Sequence, residues 1–100
     1  MDELSTAEAC CLRMIGYLVG VALDRAQGSV WRSEVDEVCV LYYAGDELAE
    51  HLAASGMTAL QVEEAVDGLR LKEYVFENVE CQPWDAVSLT AKGCAALVLA

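Results

Sequence analysis

Apolar residues recur at helical spacing in two neighbouring segments of the chain. Leu48, Ala49, Leu52 and Ala53 stand at i, i+1, i+4 and i+5, one stripe of a short helix. Asp46 precedes it as an N-cap, and Ser55-Gly56 ends it with the residue best suited to a left-handed C-terminus. Thr58-Ala59-Leu60-Gln61 opens a second helix as a capping box, in which Thr caps the Gln amide and Gln reaches back. Val62, Ala65, Val66 and Leu69 then complete an amphipathic repeat. After it the pattern changes. Tyr74-Val75-Phe76-Glu77-Asn78-Val79 is rich in β-branched and aromatic residues, as a strand requires. Glu80 to Asp85, with Pro83 fixing φ, reads as a hairpin loop, and Ala86-Val87-Ser88-Leu89 as the return strand.

The flanks carry their own patterns. Ser5-Thr6-Ala7-Glu8 is a second capping box and opens a long helix to about Gln27. Between Met14 and Leu23 that helix is apolar on nearly every side, which predicts burial all round. Gly16 and Gly20, four apart, form a small-residue groove where another backbone can approach. Either the same chain packs there or a second copy does. Val30-Trp31-Arg32 reads as a short strand pairing with the hairpin. Ser33-Glu34-Val35-Asp36 starts a further helix with Val35, Val38, Cys39 and Tyr42 on one face. The end, with Leu97, Val98 and Leu99, is wholly apolar and needs cover from the first helix or a partner subunit. Gly16, Gly20, Leu97, Val98 and Leu99 are therefore the expected seam of a homodimer.

The order helix, turn, helix, hairpin, helix over residues 46–93 resembles a winged helix-turn-helix. Leu89-Thr90-Ala91-Lys92-Gly93 is similar to the LT-x-KG step by which many MarR-like winged helices leave the wing for their last helix. The fold class expected is mainly α: one winged-helix-like domain over 1–100, with one small β-hairpin and extra N- and C-terminal helices. The resemblance implies DNA binding, with the second helix of the hairpin entering the major groove.

Charge opposes that implication. Seventeen acids against six bases give −11. Residues 28–57 and 58–90 each carry −5, so the acid concentrates on the helix-turn-helix and wing. Outward positions of the second helix include Glu63, Glu64 and Asp67, and the wing carries Glu77, Glu80 and Asp85 without Lys or Arg. Phosphate neutralisation needs a positive face, so this surface repels a duplex. The same carboxylates suit a basic, nucleic-acid-binding groove on another protein, with Trp84 as an anchor or as a cap over the core. In size, charge and fold the chain is similar to small acidic phage proteins that block nucleases or CRISPR effectors. Three readings follow: a nucleic-acid-mimicking inhibitor, a winged-helix regulator binding DNA as a dimer, and a subunit of a larger assembly held by its first and last helices.

Catalytic motifs are lacking: there is no GxSxG, P-loop, GxGxxG or HExxH. His51, four residues after Glu47, reads as a solvated pair rather than a general base. Five cysteines without CxxC spacing predict reduced thiols, no disulfide and no zinc site, although Cys10, Cys11, Cys94 and His51 could be imagined as one. A non-enzymatic protein without cofactor is expected. The apolar run Met14–Leu23 is too short to span a bilayer, and the acidic start is unlike a signal peptide, so the expected location is the cytoplasm.

Overall fold

The computed structural model describes residues 3–26, 38–42, 46–78 and 86–99, the side chains of 23–26 and 98–99 aside. The elements are α1 (Thr6–Ala26), β1 (Val40–Leu41), α2 (Glu47–Ala53), α3 (Ala59–Leu71), β2 (Val75–Glu77), β3 (Ala86–Leu89) and α4 (Ala91–Leu99). The fold is mainly helical, with a small three-stranded antiparallel sheet of order β1-β3-β2.

Both capping boxes form as the sequence predicts. Glu8 N–H donates to Ser5 Oγ at 3.0 Å and Ser5 N–H to Glu8 Oε1 at 2.8 Å. Gln61 N–H donates to Thr58 Oγ1 at 3.2 Å and Thr58 N–H to Gln61 Oε1 at 2.8 Å. At α2, Asp46 holds the N-cap position, but its side chain makes no capping hydrogen bond. Gly56, at φ 89°, supplies the left-handed turn between α2 and α3.

Helix α1 packs against α2, α3 and α4. It buries Cys11, Leu12, Ile15, Leu18 and Val19 against Leu48 and Leu52 of α2 and Val62, Ala65, Val66 and Leu69 of α3. It is not buried all round: Arg13, Tyr17 and Gly20 form an exposed strip, with Tyr17 59% accessible. Among the described residues, three further helices and a small sheet leave one side of the 21-residue α1 exposed.

The hairpin predicted at 74–89 contains β2 and β3, in the register Val75↔Leu89, Phe76↔Ser88 and Glu77↔Val87. All four residues of β3 are buried, and β1 pairs with its other edge through Val40↔Val87 and Leu41↔Ala86. Here the structure corrects the sequence reading. Val38, Cys39 and Tyr42 do not share a helical face: 38–42 contains no helix, and Val40–Leu41 is a strand. Short apolar runs satisfy both periods, and the free edge of β3 decides between them. The expected strand at 30–32, and the start of that helix at 33–37, lie outside the described residues.

A polar relay ties these strands together inside the core. Asn78 Nδ2 donates to Ser88 Oγ at 2.9 Å, and Ser88 Oγ to the Val38 carbonyl at 2.7 Å. The cysteines bring a second correction. Cys39 is disulfide-bonded, while Cys10, Cys11 and Cys94 are free thiols. One bridge needs only two sulfurs close in space, which sequence spacing does not encode.

Candidate partner-binding face

Helix α3 turns Val62, Ala65, Val66 and Leu69 inward, so the opposite face is set by the same periodicity. Glu64 and Asp67 are exposed there, and Glu63 is half-buried at its edge. Glu77 is exposed on β2 beyond the C-terminal end of α3. These four of the predicted residues are therefore surface groups on adjoining elements. Glu80, Trp84 and Asp85 lie outside the described residues.

Arg70 changes the local balance. Its Nη2 stands 3.1 Å from Asp67 Oδ1, and its Nη1 3.9 Å from Glu77 Oε2. Arg70 therefore offsets part of the acid on α3 and β2. An i,i+3 step along the helix brings Arg70 to Asp67, and the chain's return through β2 brings Glu77 to Arg70. Exposed pairs of this kind contribute only about 0–1 kcal/mol. Lys72 faces away from this cluster. Its Nζ donates to the Glu3 carbonyl and to Glu8 Oε1, both at 2.7 Å. The bases at the far end of α3 are both engaged within the chain.

Two residues of this face escape a search for charge. Leu60 is 63% and Leu71 81% accessible, the latter the most exposed of the large hydrophobic residues described. Leu60, Glu64, Asp67 and Leu71 run at i, i+4, i+7 and i+11 on the outward side. That spacing was readable once the inward stripe was assigned. Beyond Arg70 a shallow groove of about 500 Å³ runs past Glu73, Phe76 and Glu77 to Thr90 and Lys92.

The other candidate groups separate. Gly16 is covered by α4, since a Cβ there would stand 2.7 Å from Leu97 Cδ1, whereas Gly20 faces open space. Leu97 is half-buried; the side chains of Val98 and Leu99 are not among those described. His51 Nε2 lies 3.7 Å from Glu47 Oε1, both side chains exposed, with the Tyr17 ring edge-on at 6.1 Å. Burial pushes the Cys11 thiol up to about 12, helped by Cys10 and Glu8, so it stays protonated near neutrality. Among the described residues no three His, Cys, Asp or Glu side chains gather as a metal-binding group, and no helix is long and apolar enough to cross a membrane. Compared with protein-family models, curated proteins and solved structures, the chain matches none of them.

Proposed function

We propose that this chain is a non-enzymatic, acidic interaction protein of winged-helix type that binds a basic surface on another protein. Such a surface belongs to proteins that hold nucleic acid, so the binding mode is that of a nucleic-acid mimic acting as an inhibitor, of the anti-nuclease or anti-CRISPR kind. One observation carries the reading. The outward face of α3 presents Glu63, Glu64 and Asp67, while Arg70 is paired to Asp67 and Glu77 and Lys72 to Glu8. A duplex docked on α3 would meet carboxylates where phosphate needs cations. A Lys/Arg-lined groove would gain faster encounter and a fixed orientation from the same groups.

The combined substitution of Glu63, Glu64 and Asp67 by Ala leaves the Val62, Val66, Leu69 stripe intact. It should keep the thermal transition near that of the parent and weaken capture of basic nucleic-acid-binding proteins from source cells. Raising salt should weaken capture as well. In parallel, the parent protein should leave duplex DNA unshifted at low salt. A shifted duplex with a steep inverse salt dependence would favour the second reading, a DNA-binding regulator, which the helix-turn-helix and hairpin order supports.

A homodimer through α1 belongs to the same proposal. Because Leu97 already fills the groove at Gly16, the seam moves to the exposed strip around Tyr17 and Gly20. Light scattering at micromolar concentration should give twice the chain mass. A monomer mass would remove this part of the proposal and leave the acidic face untouched.

A further inference from the structure

The geometry points to a partner that grips α3 by its two exposed leucines as well as by its acids. The occupant is a Lys/Arg-lined protein groove with an apolar socket at each end. This rests on the reading of α3 as the binding face and adds what holds the partner there. Leu60 and Leu71 are eleven residues apart, three helical turns, and so point the same way. At 1.5 Å per residue they stand roughly 16 Å apart along the axis. Between them on the same line lie Glu64 and Asp67, with Glu63 at the side.

Leucines at 63% and 81% accessibility lie outside the core of this chain, since the inward stripe closes it without them. Their burial against a partner supplies the desolvated anchors that exposed ion pairs lack. The charge between them selects the partner's chemistry. A second copy of α3 would set Glu63, Glu64 and Asp67 against themselves, which like-charge repulsion opposes. A duplex offers phosphates to the acids and no apolar sockets at this spacing. A basic protein groove satisfies both features at once.

The test uses the full-length protein labelled with nitrogen-15 and two synthetic helical peptides of equal positive charge. One carries two leucines eleven residues apart with lysines between and around them; in the other both leucines are serine. The leucine peptide should bind at least about tenfold more tightly, with the largest amide shifts along the outward face of α3. Leu71→Ser, and Leu60→Ser with it, should abolish that advantage without altering the protein's circular dichroism. Replacement of the three acids by Ala should weaken both peptides. If both peptides bind equally and only the acid substitutions matter, the leucine anchors are wrong and the acidic face stands. If neither peptide binds, or the shifts fall elsewhere, both fail.

Discussion

Gly93→Ala should lower the stability of this protein by about 3 kcal/mol or more, seen as a fall in the thermal midpoint of at least about 10 °C. A Cβ at Gly93 would fall inside the Tyr74 carbonyl oxygen and close to Leu89 Cδ2. That carbonyl cannot retreat. It accepts the Thr90 N–H at 3.2 Å and lies 3.0 Å from Thr90 Oγ1, which also donates to the Glu73 carbonyl at 2.6 Å. Thr90 Oγ1 in turn accepts the Gly93 N–H at 3.0 Å and so caps α4. Lys92 Nζ donates to the Lys72 carbonyl at 2.7 Å and sits 4.6 Å from the centre of the Tyr74 ring. The Leu89-Thr90-x-Lys92-Gly93 step is thus a clasp that holds the start of α4 on the turn leaving α3. Pushing α4 away breaks it and loosens Leu97 from α1. Glu73 serves as the control within the same turn. It sits at φ 67°, so Glu73→Gly should stabilise the protein slightly. Equal denaturation midpoints for Gly93→Ala and the parent would show that the clasp does not hold α4.

The second large effect is a reversal of sign at Gly68. In the parent, Gly68→Ala should cost about 2 kcal/mol, because its Cβ would collide with the Glu8 carboxylate. With Glu8→Ala already present, the same change should be neutral or stabilise by up to about 1 kcal/mol, the helix preference of Ala over Gly. The coupling between the two sites, roughly 2–3 kcal/mol, comes from urea denaturation of the four proteins. Glu8 is buried, and its carboxylate links two groups. Its Oε1 accepts the Ser5 N–H at 2.8 Å and pairs with Lys72 Nζ at 2.7 Å, tying α1 to the end of α3. Glu8→Ala alone should therefore cost about 2–3 kcal/mol.

The hydrogen bond from Lys72, and then that from the Ser5 backbone, holds the Glu8 carboxyl below its ordinary value of 4.5, against the opposing effect of burial. A group whose pKa is lower folded than unfolded stabilises fully above the unfolded value and loses that contribution as pH falls through the folded one. The stability difference between the parent and Glu8→Gln should hold steady at neutral pH and shrink below about 4.5. A difference that grows on acidification would contradict the assignment.

The sequence by itself determined whatever depends on residues a few positions apart. The capping boxes Ser5–Glu8 and Thr58–Gln61 formed because donor and acceptor are three residues apart on one nascent turn. The Val62, Ala65, Val66, Leu69 stripe is wholly buried, and β2 and β3 lie within the stretch that β-branched and aromatic content and turn chemistry marked out. Of the candidate face, Glu63, Glu64 and Asp67 were legible for the same reason: they are what the inward stripe leaves outside.

Tertiary structure decided the rest. Val38–Tyr42 suits a helix or a strand locally, and pairing with the open edge of β3 made Val40–Leu41 a strand. Gly16 and Gly20 are equivalent by spacing, yet Leu97 covers one and nothing covers the other. Arg70 and Lys72 stand two residues apart at the C-terminal end of α3. One was drawn to Glu77 by the fold of β2 and the other to Glu8, 64 residues away. Periodicity fixes which side of an element faces the core. It holds no information about which distant charge, thiol or side chain the folded chain brings to the other side, because that depends on how whole elements pack.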